Sequence, residues 1–228
     1  KSSHIITISN FVKNDLIEFT GVNPEKITVT LESADELPKG NEPVDELIGK
    51  KFIMYIGRPT PHKNLRRLID AFALLQKKYP DLTLALAGKK DSNYARHETY
   101  VNEHGIKNVV FTGFISDEQL RWMYENTAVY CFPSLSEGFG LPGLEAMLHG
   151  APVASSTATC LPETHGDAAH YFDPFSVEDI AKSIDDILSD DKLRNELVKK
   201  GKKHVKTFSW QRMAEQTLAV YEKYGRKS

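Results

Sequence analysis

Residues Pro133–Gly150 read PSLSEGFGLPGLEAMLHG, and the rest of the chain is organised around them. Glu137 and Glu145 stand eight positions apart in this stretch, with three glycines between them. Glycine lets a backbone bend sharply and approach a ligand closely. A helix that begins near Leu141 would point its free N–H groups and the positive end of its dipole at the preceding loop. The stretch therefore predicts a loop that holds a phosphate or sugar hydroxyls, with Glu145 about one turn into the helix.

Apolar strands alternate with amphipathic helices around this stretch. Phe52–Ile56 is a continuous apolar run, and Leu65–Leu75 carries apolar residues on one helical face after Asn64, a predicted cap. Further strands are predicted at 4–8, 27–31, 82–87, 108–111, 128–132, 151–154 and 169–172, and further helices at 11–19, 93–104, 177–188, 192–205 and 209–221. Ser116–Gln119 forms a predicted capping box. Such alternation predicts an α/β fold with a Rossmann-like, doubly wound parallel sheet.

The composition excludes several classes of protein. The 228 residues hold 29 Lys and Arg against 31 Asp and Glu, so charge gives no reason to expect nucleic acid as a partner. The longest apolar runs, such as Leu84–Ala87, fall far short of the roughly 18 residues of a membrane span, and the start lacks a signal-peptide pattern. We therefore expect a cytoplasmic protein. Cys131 and Cys160 have no metal-site spacing and are expected to be reduced and structural.

Ligands of doubly wound sheets bind outside the carboxyl ends of the strands, so the loops there are candidate sites. The loop after Ile56 contains Gly57, Arg58 and Lys63. A guanidinium fork and an ammonium point charge together suit a diphosphate, although ordinary exposed basic residues are the alternative interpretation. A later loop contains Phe114, whose ring could lie against a nucleobase or in the core.

A dinucleotide-binding site is a rival hypothesis, because Gly138, Gly140 and Gly143 form a G-x-G-x-x-G pattern. In that fingerprint the first glycine directly follows the strand, whereas residues 133–137 intervene here. An acid does stand 20 residues after the last glycine, at Glu163, but it lies past the next strand. The spacing of the three glycines matches the dinucleotide-binding fingerprint, but their position relative to the strands does not.

Taken together, these loops resemble the nucleotide-sugar-binding half of the retaining GT-B glycosyltransferases called glycosyl transferases group 1, or family 4. The resemblance is carried by an E-x7-E motif, Glu137–Glu145, and by Gly57-Arg58, Lys63-Asn64, Phe111-Thr-Gly113 and Leu161-Pro-Glu163. These groups occur in the order typical of the family. The resemblance covers nearly the whole chain, since His4–Phe11 is similar to the segment in which the family's N-terminal domain ends.

The resemblance implies roles for the loop residues. Arg58 and Lys63 would stabilise the leaving diphosphate, and Glu137 would contact the sugar hydroxyls; these three are the candidate catalytic residues. The candidate donor-binding residues are Gly57, Phe114, Gly138, Phe139, Gly140, Leu141 and Glu145, of which Glu145 would receive the ribose hydroxyls. No metal or other cofactor is expected. Covalent catalysis by Glu137 is disfavoured, because the resemblance implies same-face attack steered by the leaving phosphate.

The resemblance also implies an activity. It indicates a retaining, metal-independent hexosyltransferase that moves mannose from GDP-mannose, or a hexose from a UDP-sugar, to a glycan or lipid-linked acceptor. Residues 1–48 would be the end of a missing N-terminal domain plus a linker, 49–207 the nucleotide-sugar domain, and 208–228 a helix that crosses back to the missing domain. The isolated chain is therefore expected to bind nucleotide and to transfer nothing. A nucleotide- or NAD-binding regulatory module is the alternative.

Several features allow more than one interpretation. The basic run Lys199–Lys203 could touch a membrane that carries a lipid-linked acceptor, or be a solvated helix end. Peripheral association with the inner face of the membrane and the oligomeric state therefore stay open. His62, His149 and His165 stand at spacings unlike those of metal ligands, and solvent-facing or capping positions are predicted for all three.

Overall fold

The computed structural model describes residues 2–40 and 42–225; Lys1, Asn41 and 226–228, which belong to the predicted terminal segments, lie outside the described residues. The strands of the described part are β1 (Ile5–Thr7), β2 (Ile27–Val29), β3 (Phe52–Ile56), β4 (Thr83–Ala87), β5 (Val109–Gly113), β6 (Val129–Phe132), β7 (Val153–Ser156) and β8 (Ala169–Phe172). Its α-helices are α1 (Asn10–Thr20), α2 (Leu65–Leu75), α3 (Ser92–Glu103), α4 (Asp117–Asn126), α5 (Leu141–Leu148), α6 (Leu161–His165), α7 (Val177–Ser189), α8 (Asp191–His204) and α9 (Trp210–Tyr224). The short helix α6 was not predicted.

Six strands form one parallel sheet in the order β5-β4-β3-β6-β7-β8. The central strand β3 pairs on both sides, with Ile53 opposite Leu84 of β4 and Val129 of β6. Since the strand order reverses between β3 and β6, the switch point of the sheet lies between these two strands. The predicted α/β fold with a doubly wound parallel sheet is confirmed.

Helices cover both faces of the sheet, which is why its strands are apolar without interruption. In β3, Phe52 and Met54 belong to one buried cluster and Ile53 and Tyr55 to the other, as the alternation of side chains along a strand requires. Helices α2, α3 and α7 pack on the second face, and α4 and α5 on the first. Each large apolar side chain buried in these layers contributes roughly 1.5–3 kcal/mol to folding.

The N-terminal strands lie apart from this sheet. β1 and β2 pair with each other in parallel, with Ile5 opposite Ile27. Helix α9 returns to them, and the ring of Tyr224 stacks on His4 with 4.0 Å between the ring centroids. These contacts place the two ends of the described chain together, while the domain boundaries stay a prediction.

Two predictions about composition can be compared with the structure. Cys131 and Cys160 are both buried and free, as predicted, and burial raises the pKa of each thiol. Among residues 2–40 and 42–225, no helix combines the length and the apolar character that a membrane crossing requires.

Candidate active site

Two loops meet at the switch point of the sheet, the loop after β3 and the loop after β6. The second loop, Pro133–Gly140, is called the glycine loop below. The main-chain N–H of Leu135 donates to the carbonyl of His62 over 2.7 Å, so the two loops are joined through their backbones. Their side chains also meet, because Lys63 Nζ lies 2.6 Å from Glu137 Oε1. The candidate catalytic residues Lys63 and Glu137 are therefore adjacent.

Asn64 holds this arrangement in place. It occupies the N-cap position of α2, as predicted, with a left-handed backbone of φ 59°, but its side chain accepts no hydrogen bond from a backbone N–H of the helix. Its Nδ2 instead donates to the carbonyls of Pro133 at 3.0 Å and Pro174 at 2.8 Å, and its Oδ1 accepts from Arg67. One buried amide thus ties together the loops after β3, β6 and β8. Sequence reasoning missed this role because both carbonyls are distant in sequence.

The Lys63–Glu137 pair is largely shielded from water. The side chain of Lys63 is 21% exposed and that of Glu137 is 13% exposed. The main-chain N–H of Glu137 donates to Thr159 Oγ1 at 3.0 Å, and its carbonyl accepts from the Cys160 thiol at 3.2 Å. A partly buried ammonium beside a fixed carboxylate can bind a phosphate and a neighbouring hydroxyl at once.

Helix α5 begins at Leu141, as predicted, and its first turn faces the glycine loop. Gly140 has φ 101°, a conformation that residues with a side chain rarely adopt. In the described part of the chain, the N–H groups of Gly138, Phe139, Gly140 and Leu141 donate to no protein atom. Free N–H groups at a helix N-terminus are a ready binding site for an anion.

Glu145 lies one turn into α5, and its side chain is partly buried. Burial raises the pKa of the Glu145 carboxyl group, and the nearby Asp117 and Asp35 raise it further, while the Tyr124 hydroxyl, which donates to Oε2 over 3.3 Å, opposes the shift. A half-buried carboxylate with one protein donor has capacity for more hydrogen bonds. A pair of ligand hydroxyls would supply them.

Arg58 does not join Lys63 and Glu137. Its side chain is 79% exposed and its Nε lies 3.7 Å from Asp91 Oδ2, at the carboxyl end of β4. Hydrogen bonds from the backbone N–H of Tyr94 and of Asn93 hold the pKa of Asp91 below its usual value, and Arg58 adds to the effect. Arg58 therefore stands at the rim of the site, and Asp91 is a neighbour that sequence reasoning did not identify.

The two candidate aromatic residues have opposite environments. Phe114 follows β5 and is 85% exposed, beside a cavity of about 310 Å³ that Thr112 and Gln119 also line. Phe139 is 3% exposed, and its ring packs edge-on against Phe208 at 5.8 Å. The ring of Phe139 is therefore a core side chain, and only its backbone faces the site.

Glu163 has a structural partner, which argues against the dinucleotide fingerprint. Its carboxylate accepts from the main-chain N–H groups of Asn10 and Phe11 at 2.8 and 3.0 Å, at the start of α1. Ser9 extends this junction, since its hydroxyl donates to the carbonyl of Gly138 over 2.7 Å. The acid that the fingerprint assigns to a ribose is thus occupied by a helix N-terminus.

The three histidines differ in their surroundings. His62 is exposed and His149 is the C-cap residue of α5, as predicted, although the His149 ring is buried. His165, the last residue of α6, is also buried and does not face solvent. His149 Nε2 accepts from the N–H of Leu37 over 3.2 Å, which explains why this ring lies inside. No local pattern indicated that either ring is buried, because the partners of both rings come from other parts of the chain.

Metal-binding residues do not cluster in the described ranges 2–40 and 42–225, where no three His, Cys, Asp or Glu side chains gather around one point. The switch point instead brings together an ammonium, a carboxylate and free backbone N–H groups, and a second carboxylate, Glu145, lies one turn into α5. This set is suited to a ligand that carries both negative charge and hydroxyls.

Comparison with known proteins identifies the family of the chain. Residues 40–204 match the family model described as "Glycosyl transferases group 1". The chain belongs to this family. It is 32% identical to the O-antigen chain mannosyltransferase B of Escherichia coli, an alignment that covers 96% of this chain and 60% of that protein. It is also 32% identical to the MMP alpha-(1->4)-mannosyltransferase of Mycolicibacterium hassiacum, over 96% of this chain and 54% of that protein.

Solved structures place this group 1 domain in the GT-B fold. Sucrose-phosphate synthase from Thermosynechococcus elongatus superposes with a TM-score of 0.81 at 25% identity, over 96% of this chain and 57% of that one. HepE of Anabaena, in complex with UDP and glucose, superposes with a TM-score of 0.82 at 20% identity, over 96% and 63% of the two chains. The chain thus spans little more than half the length of the relatives it matches, and it corresponds to the predicted C-terminal half of the fold.

Proposed function

We propose that this chain binds the nucleoside-diphosphate sugar of a retaining hexosyltransferase. The observation that supports this best is the contact between Lys63 and Glu137 at the switch point, 2.6 Å apart and beside the free N–H groups that precede α5. A sugar diphosphate presents a hydroxyl-rich ring next to an anion. Carboxylate and ammonium therefore stand next to each other where the linkage between sugar and phosphate would lie.

Each part of the donor has a matching group. The diphosphate would bind Lys63 and the N–H groups at Gly140 and Leu141, and these donors would stabilise the negative charge that develops when the sugar leaves. The ribose hydroxyls would complete the hydrogen bonding of Glu145. Arg58, at the rim, would contribute to the diphosphate only after its exposed side chain turns away from Asp91. Because these groups carry the leaving charge, the proposed reaction is metal-independent and needs no cofactor.

Mannose is the proposed sugar, with GDP-mannose as the donor. Two relatives at 32% identity are named as mannosyltransferases, which supports this choice. The similarity to HepE with bound UDP and glucose keeps a UDP-sugar as the second candidate donor. A glycan or lipid-linked molecule is the proposed acceptor, and a cytoplasmic location and contact with a membrane stay predictions.

The acceptor is proposed to bind to sequence outside these 228 residues. The relatives extend well beyond the matched region, since this chain covers 54–60% of their length. Sugar transfer needs both substrates to be held in one geometry. We therefore expect this chain alone to bind the donor without transferring the sugar, and detectable transfer by the purified chain would contradict that.

A binding experiment tests the proposed function. The purified chain should be titrated calorimetrically with GDP, UDP, ADP and NAD. We expect GDP or UDP to bind best of the four. The Glu145→Ala variant should bind that nucleoside diphosphate at least tenfold more weakly, a loss of about 1.4 kcal/mol. The matched control is Glu163→Ala, which removes a carboxylate bound to α1 and should leave the affinity unchanged. Binding of NAD alone would favour the regulatory module instead.

A further inference from the structure

His165 is a buried group to which the proposed chemistry gives no role. It is the last residue of α6, it is 0% exposed, and it lies directly under the junction of the glycine loop and α5. Its ring sits 5.7 Å from that of Phe132, the last residue of β6. A polar ring buried at this depth needs hydrogen-bond partners on both nitrogens.

The partners of His165 fix its tautomer. Nε2 lies 3.2 Å from the carbonyl oxygen of Gly140, which can only accept, so Nε2 carries the proton and donates. Nδ1 lies 3.2 Å from Ser155 Oγ and accepts from that hydroxyl. Burial lowers the pKa of His165 to about 4 and so favours the neutral ring; the bond to the Gly140 carbonyl opposes this shift, and the nearby His204 adds to it. His165 is therefore a fixed donor to the residue that precedes α5.

Two glycines of the site make room for α6 and for the His165 ring. A side chain at Gly143 would clash with His165 Nε2, so the glycine at this point of α5 makes room for the imidazole. A side chain at Gly140 would meet Leu161 Cδ2 at 2.7 Å. Two of the three glycines in the G-x-G-x-x-G pattern thus accommodate α6.

The segment 159–165 also contacts the glycine loop at Glu137. Thr159 accepts from the N–H of Glu137 and does so with φ 53°, a left-handed conformation that is unfavourable for a β-branched residue. Strained residues of this kind persist where the surrounding structure requires them, often at functional sites. Residues 159–165 therefore contact both ends of the segment Glu137–Gly140, which carries the free N–H groups of Gly138, Phe139 and Gly140.

We infer that His165 is a positioning residue for donor binding, which sets the orientation of the Gly140 peptide and so of the N–H groups that receive the diphosphate. This inference rests on the proposed function. The Gly140 carbonyl accepts from His165 Nε2 and also from the N–H of Gly143 at 3.1 Å, so it points into the protein. Across the same planar trans peptide, the N–H of Leu141 points the opposite way, toward the proposed ligand. A group that acts this way should affect phosphate binding and leave nucleoside binding unchanged.

The experiment compares His165→Leu, which keeps the volume but removes both hydrogen bonds, with His165→Gln, whose side-chain amide can donate and accept. Calorimetry with GDP, UDP and the corresponding nucleosides gives the ratio of diphosphate to nucleoside affinity for each variant. We expect His165→Leu to lower this ratio about tenfold and His165→Gln to restore it to within about threefold. The control is His204→Gln, which removes a ring bound to the Thr164 carbonyl but not to the glycine loop, and should keep the wild-type ratio.

The outcomes separate this inference from the proposed function. If the wild-type chain binds neither diphosphate, the proposed function fails. If it binds one, and folded His165→Leu keeps the wild-type ratio, only the positioning role fails. Ser155→Ala serves as a second variant in case His165→Leu does not fold: it removes the partner of Nδ1, and we expect about a threefold lower ratio. An unchanged ratio in Ser155→Ala would overturn the inference, and so would a loss that His165→Gln does not restore.

Discussion

The two edges of the central sheet differ in how their polar groups are held. At the amino edge, a cavity of about 530 Å³ is lined by 49–51, 78–83 and Asn108, and the ammonium groups of Lys51 and Lys78 lie over the ring of Tyr79. At the carboxyl edge the cavity beside Phe114 is smaller, about 310 Å³. Yet the loops there are cross-linked by buried hydrogen bonds, and free N–H groups stand among them. The difference shows that preorganised groups, rather than the size of a cavity, mark the candidate site.

Acid should affect the carboxyl edge most, through His165. The folded-state pKa of His165 is about 4 against 6.5 in the unfolded chain, so folding favours the neutral ring. The stability that the neutral ring contributes is therefore fully present above pH 6.5 and is lost as the pH falls toward 4. The free energy of unfolding should decrease by about 3 kcal/mol over this range. Urea unfolding at pH 7, 6, 5 and 4 measures this. His165→Gln should lose that part of the pH dependence, and identical slopes for the two proteins would contradict it.

Added side chains should distinguish the two edges next. Gly143→Ala introduces a clash with His165 and should destabilise the fold by about 2–3 kcal/mol, although alanine is the better helix former. The amino-edge control is Gly49→Ala, where φ is 73° but no atom lies within 4 Å of the new methyl group, and only backbone strain of about 1 kcal/mol is expected. Equal losses in thermal or urea unfolding would mean that α6 does not press on α5.

Two lysines offer a sharper comparison, because each lies about as close to a carboxylate. Lys63 pairs with Glu137 at 2.6 Å and is mostly covered, whereas Lys78 pairs with Asp185 at 2.7 Å and is 56% exposed. Lys63→Met should cost about 1–2 kcal/mol of stability, since it leaves a largely buried carboxylate unpaired, and should weaken diphosphate binding. Lys78→Met should change neither quantity measurably. If both variants lost similar stability and similar diphosphate affinity, the two edges of the sheet would not differ in how their ion pairs are held.

Phe114 should give the smallest effect on stability. Its ring is exposed, so Phe114→Ala should change the free energy of unfolding by less than about 0.5 kcal/mol. If the ring stacks on the base as predicted, nucleoside affinity should still fall by about 1 kcal/mol, close to fivefold. The control is Phe19→Ala, another exposed ring, on α1. Unchanged nucleoside affinity in Phe114→Ala would place the base elsewhere.

The fold could be predicted from the sequence because local periodicity is sufficient for it. The apolar run Phe52–Ile56 has to be a buried strand, and the spacing in α2 and α7 requires helices with one apolar face. The capping box at Ser116 and Gln119 was likewise readable, and both of its hydrogen bonds form. Each of these features is decided by residues close together in the chain.

The site was predictable only in part. Glu137, Glu145 and Lys63 could be identified because their loops carry a family's motif, whereas their exact surroundings depend on distant residues. Glu163 lies 153 positions from Asn10, to which it binds, and His165 lies 25 positions from Gly140. No local pattern records such pairs. The orientation of Arg58 toward Asp91 was missed for the same reason.

The tie made by Asn64 has a consequence for how the sequence can vary. Both groups that receive its amide protons are main-chain carbonyls, at positions 133 and 174, which every residue type possesses. The hydrogen bonds that join the three loops therefore require one particular side chain at position 64, whereas the carbonyls that accept them place no demand on the residue types at 133 and 174. In a library randomised at 64, 133 and 174 and selected for folding, asparagine should be recovered almost invariably at 64, while the other two positions should be limited by space and backbone conformation alone.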